Sequence, residues 1–218
     1  MKIGSLACLL GAIANHESPF RILDLGTGSG LLALMMAQKY EAFIDAVEID
    51  SNAFGQASEN LRQSRWRHKL HAFHLDIKEF EPAYQYDLII CNPPFFENQK
   101  PSPDSKINLA RHENGLTILE LTAIVNRLLN INGIFWMVLP EKEMSIAKTN
   151  LESVGFFMAS QFNIFSKPQT SIKAIVASFV RSKQECNTER IFIRNKDGDQ
   201  SEQYLNIMKP YYLDSGKN

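Results

Sequence analysis

Arg21-Ile22-Leu23-Asp24-Leu25-Gly26-Thr27-Gly28-Ser29-Gly30 joins a short apolar run to a glycine-rich turn. The first five residues read as a buried parallel strand, and the apolar segment 31–37 reads as a helix. The glycines therefore lie in a strand-to-helix turn, where a backbone without side chains can approach a ligand and helix N–H groups point at it. A dinucleotide fingerprint asks for G-x-G-x-x-G/A, and counting from Gly26 the third position falls on Leu31. The nicotinamide pattern fails there, although the turn alone leaves NAD open.

The G-x-G-x-G form preceded by Asp24 resembles the S-adenosylmethionine loop of class I methyltransferases, in which the glycine turn passes beside the amino-acid part of the cofactor. A second strand, Phe43-Ile44-Asp45-Ala46-Val47-Glu48-Ile49-Asp50, ends in acids. They fall about twenty residues beyond the turn, where a carboxylate can accept ribose hydroxyls. Glu48 is read in that role, since Asp50 lies past the strand end and is placed to cap a helix starting near Ser51. A third strand, 71–75, leads to Asp76, which is either an acceptor for the cofactor's adenine amino group or a helix cap. A fourth, Tyr86-Asp87-Leu88-Ile89-Ile90-Cys91, runs into Asn92-Pro93-Pro94-Phe95. All four features fall at carboxyl ends of strands, the edge at which doubly wound sheets bind ligands.

That tetrapeptide suits methylation of a nitrogen whose lone pair is shared with a π-system. The Asn92 side-chain oxygen and the Pro93 carbonyl, aimed at the two N–H bonds of an amine, would localise the lone pair in the transition state. Pro93 and Pro94 fix φ and remove N–H donors, while Phe95 offers a face on which a planar group stacks. Taken alone, the same four residues also describe a Pro-Pro turn with an aromatic packed beneath it.

The remaining sequence completes the layout. Residues 96–113 form a polar loop with Lys100, Lys106, Arg111 and His112, read as a lid over the active site or as a solvated excursion. A helix over 116–129, a strand over 131–139 and a helix over 143–153 follow. Residues 156–165 and 172–180 then suggest an antiparallel hairpin. The expected fold is α/β, with helices on both faces of a seven-stranded, mostly parallel sheet that ends in the hairpin at one edge. One domain spans 1–218, with an N-terminal helix and cofactor-side segment (1–20), a catalytic core (21–182) and a C-terminal extension (183–218) holding a short strand over 191–193 and a helix over 204–213.

The chain has 218 residues, with 23 Lys and Arg against 24 Asp and Glu, so nucleic-acid contact must rest on local patches. Cys8, Cys91 and Cys186 form no C-x-x-C pair, which indicates neither zinc nor a disulfide framework and fits a reducing cytoplasm. No stretch is apolar and long enough to cross a membrane. Residues 1–14 mimic a cleavable signal but are read as an amphipathic helix, because the first strand begins almost at once.

The chain resembles the bacterial tRNA adenine-N6 methyltransferases that modify adenine 37 of valine tRNA. The resemblance is carried by Met1-Lys2-Ile3-Gly4-Ser5, Leu9-Leu10-Gly11-Ala12, Asp24 to Gly30, Glu48-Ile49-Asp50, Asn92 to Phe96, Ala110-Arg111-His112, Lys167-Pro168 and the closing Ser201, Tyr204 and Tyr211-Tyr212-Leu213. It implies a Rossmann-like class I methyltransferase that uses S-adenosylmethionine, no metal and a tRNA partner. It further implies cofactor contacts at Lys2, Gly4, Asp24, Gly26, Thr27, Gly28, Gly30, Glu48, Ile49, Asp76 and Asn92, and substrate contacts at Phe95, Phe96, Arg111 and His112. Two departures stand out: family members have more residues ahead of the Lys-x-Gly-Ser segment, and the acid that usually follows it is Leu6 here. Both bear on activity more than on fold. Methylation of a ribosomal guanine N2 or a release-factor glutamine, or a silent RNA-binding module, are the alternatives. RNA contact is expected from the loop cations and from Arg62, Arg65, Arg67, His68 and Lys69, a cluster that also reads as a solvated helix end, the reading favoured here. The oligomeric state is open, with a monomer favoured.

Overall fold

The structure, a computed structural model, describes residues 4–93 and 116–212. Its centre is a sheet of eight strands: β1 (Arg21–Leu25), β2 (Phe43–Glu48), β3 (Leu70–His74), β4 (Tyr86–Cys91), β5 (Leu129–Leu139), β6 (Phe157–Phe165), β7 (Ile172–Val180) and β8 (Asn187–Phe192). They lie in the order β3-β2-β1-β4-β5-β7-β6-β8. β1 to β5 are mutually parallel, β7 runs antiparallel to both β5 and β6, and β8 pairs parallel with β6. The sheet thus has eight strands where the sequence suggests seven.

Six helices flank it: α1 (Ser5–Ile13), α2 (Leu31–Lys39), α3 (Ser51–Gln63), α4 (Ile118–Leu128), α5 (Glu141–Ser153) and α6 (Glu202–Met208). The central strands are continuous apolar runs because both faces are covered. Along β4, Leu88 and Ile90 enter one core layer with residues of α1, α2 and α6, while Ile89 and Cys91 enter the other with residues of α4 and α5. That alternation locks the register, since a one-residue slip would exchange the two layers.

The extra strand is β8, whose first four residues, Asn187 to Arg190, are exposed. It is an outer strand without apolar alternation there, which is why only 191–193 reads as a strand from sequence. Its free edge is covered at Arg190 and Phe192 by α6: Phe192 N donates to Gln203 Oε1 at 3.3 Å and Gln203 Nε2 donates to the Arg190 carbonyl at 2.9 Å. Covering an edge in this way blocks pairing with other chains.

The chain runs from β1 outward through β2 to β3, then returns to lay β4 on the other side of β1. This reversal opens a crevice at the carboxyl ends of β1 and β4.

Candidate active site

The glycine turn is built around three left-handed residues, Gly26 (φ 71°), Gly28 (φ 59°) and Gly30 (φ 83°). Side chains rarely adopt that conformation. At Gly30 space matters as well: a Cβ would stand 3.2 Å from Leu61 Cδ2 and 3.5 Å from the Ala57 Cα. The turn is tied to the sheet where the amides of Gly26 and Thr27 both donate to the Val47 carbonyl at 3.0 Å.

Asp24 sits behind this turn and is fully buried. Its Oδ2 accepts from Thr27 Oγ1 at 2.5 Å and from Ala33 N at 3.0 Å, so it fastens the turn to the first residues of α2. Burial pushes its carboxyl up to about 7, against the pull of those two hydrogen bonds and with a smaller contribution from the nearby Glu48 charge. Asp24 Oδ1 has no hydrogen-bond partner among the described residues.

Glu48 stands at the end of β2 facing the turn. Its Oε2 accepts from Gly28 N at 2.8 Å and its Oε1 from Asp50 N at 2.9 Å. Asp50 caps α3 through a 2.8 Å bond from Ala53 N, the role its position suggests. Asp76 caps the short 3-10 turn Ile77–Glu79: its Oδ1 accepts from Lys78 N at 2.9 Å, and its Oδ2 lies 3.3 Å from Lys78 Nζ. Of the two readings open for Asp76, capping is thus realised, and the residue still faces the cavity.

Most of these residues line a cavity of about 480 Å3 at the carboxyl edge of the sheet. Gly4, Gly26, Thr27, Gly28, Glu48, Ile49, Asp76, Asn92 and Pro93 all face it. Two expected cofactor residues, Asp24 and Gly30, do not: Asp24 lies beneath the turn, and Gly30 faces α3. Lys2, Pro94, Phe95, Phe96, Arg111 and His112 lie outside the described residues. Sequence reasoning passed over Leu75, Ile77 and Leu116, which form an apolar wall beside Asp76. Their signal is faint, a pair of aliphatic residues flanking an acid in a short connection.

Asn92 is placed by β4, whose pairing to β1 and β5 carries it to the cavity floor. Its Oδ1 is buried and accepts no hydrogen bond among the described residues. A buried acceptor left open costs free energy, on the order of 1–3 kcal/mol, so such atoms mark places where a ligand donor belongs.

The cations at the far end of α3 have other work. Arg62 pairs with Glu59 at 2.8 Å, Arg65 packs over the Trp66 ring, and Lys69 is buried against Glu41 at 3.0 Å and the Tyr40 carbonyl at 2.7 Å. They lie between the end of α3 and the start of β3, at the opposite edge of the sheet from Asn92. Among the described residues no group of three or more His, Cys, Asp or Glu converges as a metal site would require.

A family model described as the methyltransferase small domain matches residues 3–155. The tRNA1(Val) (adenine(37)-N6)-methyltransferase of Bacteroides fragilis is 36% identical over 216 residues, which cover 98% of this chain and 91% of that protein. The enzyme of the same description from Dyadobacter fermentans is 37% identical over 218 residues, with the same coverage of each. Among solved structures, the glycopeptide N-methyltransferase MtfA complexed with S-adenosyl-L-homocysteine superposes with a TM-score of 0.58 over 82% of this chain and 87% of that one, at 13% identity, a likeness of fold. With sequence kinship along nearly its whole length and the methyltransferase fold beneath it, the chain belongs to the tRNA1(Val) (adenine(37)-N6)-methyltransferase family.

Proposed function

We propose that this chain transfers a methyl group from S-adenosylmethionine to the exocyclic N6 of an adenine in tRNA, adenine 37 of tRNA1(Val). The observation that carries the reading is the buried Asn92 Oδ1, without a hydrogen-bond partner among the described residues, on a residue lining the same cavity as the glycine turn and Glu48. The donor set fits the cofactor: left-handed glycines for close backbone approach, a strand-end carboxylate for ribose hydroxyls, and Leu75 and Ile77 as walls for a planar base. When bound, S-adenosylmethionine supplies an electrophilic methyl group on a sulfonium.

The chain's own residues supply position and electrostatics. Asn92 Oδ1 and the Pro93 carbonyl accept the two N–H bonds of the adenine amine and draw its lone pair out of conjugation. Neither is a strong base: both would orient the amine while its nitrogen takes the methyl, leaving the cofactor as its neutral thioether, and the displaced proton would pass to solvent. Pro93 and Pro94 stiffen the backbone that presents them. Phe95 and Phe96 stack on or wall the target base, and Arg111 and His112 meet RNA, as the family motif implies. Lys2 and Gly4 contact the cofactor, as the family motif implies, and Gly4 faces the cavity. The stacked, splayed bases of an anticodon loop suit such a site, because an unpaired base needs no extrusion from a duplex.

The reading extends to organisation and setting. Residues 1–218 act as one catalytic domain, supported by β8 joining the C-terminal extension to the same sheet. Among the described residues no helix is long and apolar enough to cross a membrane, and a tRNA substrate places the work in the cytoplasm.

The test is direct. The chain is incubated with methyl-labelled S-adenosylmethionine and tRNA from a strain lacking the modification, and the RNA is digested to nucleosides. Label in N6-methyladenosine supports the proposal. Label in another nucleoside, in protein or in nothing removes it.

A further inference from the structure

The carboxyl ends of β6 and β8 gather exposed cations that ion pairs do not consume. Lys167 stands in the turn between β6 and β7, Lys173 at the start of β7, Arg190 on β8 and Arg194 just past its end. Strand pairing holds them together: Asn163 is opposite Arg190, Phe165 is opposite Phe192, and Arg194 N donates to the Ser166 carbonyl at 3.0 Å. The Arg190 guanidinium packs 5.2 Å from the centre of the Phe165 ring, which itself stacks on Phe192 at 5.1 Å.

Among the described residues none of the four cations forms a salt bridge. No Asp or Glu occurs in the sequence between Glu152 and Glu185. Nearby acids form no salt bridge to these cations among the described residues: Glu189 takes a 3.1 Å hydrogen bond from Asn187 Nδ2, and Asp197 and Asp199 flank Gly198, whose carbonyl accepts from Arg194 Nη1.

Direction matters as much as charge. Because β7 is antiparallel to both β5 and β6, the carboxyl ends of β6 and β8 emerge at the same edge as Asn92. β6 is three and β8 four strand positions from β4, or about 14 and 19 Å at ~4.8 Å per strand. That is too far to touch a base seated at Asn92 and close enough to hold the backbone several nucleotides away.

Resting on the tRNA-methylation reading, we infer that Lys167, Lys173, Arg190 and Arg194 form a cationic rim that grips phosphates of the tRNA whose adenine enters the cavity. A chain of formal charge −1 has no overall field to attract RNA, so attraction must come from such a patch. Phosphate contacts fix register and orientation without reading sequence. Arg190, packed over the Phe165 ring, presents its planar fork with less rotamer freedom to lose.

The test is the triple variant Lys167→Ala/Arg190→Ala/Arg194→Ala in the full chain. It is compared with wild type for tRNA affinity across salt concentrations, for kcat and KM of tRNA methylation, and for S-adenosylmethionine affinity by calorimetry. The expected result is a tRNA Kd and KM raised by roughly an order of magnitude or more, and a salt-dependence slope shallower by about two, at ~0.7 per phosphate lost. Turnover at saturating tRNA and cofactor affinity stay at wild-type values. Arg62→Ala/Arg65→Ala/Arg67→Ala, at the opposite edge, leaves tRNA affinity unchanged. A rim variant with wild-type affinity and slope, in a chain that does methylate tRNA, overturns the rim and leaves the function standing. A wild-type chain that methylates no tRNA adenine overturns the reading on which the rim rests.

Discussion

Glu48 and Gly28, twenty positions apart in the chain, are joined by a 2.8 Å hydrogen bond in which the glycine amide donates to the carboxylate. The second oxygen is held by Asp50 N at 2.9 Å. The plane of the carboxylate is therefore fixed by backbone before any ligand arrives, and each oxygen keeps a lone pair for a further donor. The glycine turn and the acid at the end of the second strand thus form one preorganised unit.

Removing that carboxylate should act first on cofactor affinity. Glu48→Ala loses charge-assisted hydrogen bonds of about 1.5–3 kcal/mol, which raises the Kd for S-adenosylmethionine roughly ten- to hundredfold. Isothermal titration of the variant measures this. Wild-type affinity would rule out the assignment.

Asp24 should leave a signature in the pH dependence of stability. Its folded-state carboxyl is raised by burial to about 7 from an ordinary 3.8, so between those values the folded chain holds a proton that the unfolded chain has released. Stability from this group is present below pH 4 and falls as pH rises toward 7. Asp24→Asn, which keeps an oxygen for Thr27 Oγ1 and Ala33 N, should flatten that fall. Urea midpoints at pH 5, 6 and 7 check it, and parallel slopes in wild type and variant would contradict it.

Gly30 tests the turn itself. An alanine there must take φ 83° with its Cβ 3.2 Å from Leu61 Cδ2, at a cost of about 1–3 kcal/mol. The expected drop in melting temperature is about 2–4 °C per kcal/mol for a chain of this size. An unchanged melting curve would mean the turn relaxes freely.

Much of the fold is legible in the sequence because its central strands are apolar runs bounded by turns. The bounds of β1, β4 and β7 coincide with those read from residues alone. Legibility fails where tertiary contacts decide. The exposed half of β8 is a strand only because β6 offers it an edge, and the hairpin is not the last element of the sheet, since β8 lies outside it. At the site, Asn92, Glu48 and the glycine turn converge on one cavity. Asp24 reads as a cofactor ligand because it precedes the glycines, yet Ala33 N and Thr27 Oγ1 draw its side chain behind the turn. Nothing in the local sequence distinguishes an acid that faces a ligand from one that anchors the loop beneath it.

The central claim is that Asn92 Oδ1, buried beside the cavity and without a partner among the described residues, acts on the target amine chiefly in the transition state. The most direct measurement is the single-turnover rate of N6-adenine methylation of tRNA by wild type and Asn92→Ala, with cofactor affinity measured alongside. Loss of one preorganised acceptor should slow the chemical step roughly 10²- to 10³-fold while the Kd for S-adenosylmethionine changes far less. Equal losses in rate and cofactor affinity, or a variant that methylates at the wild-type rate, would contradict it.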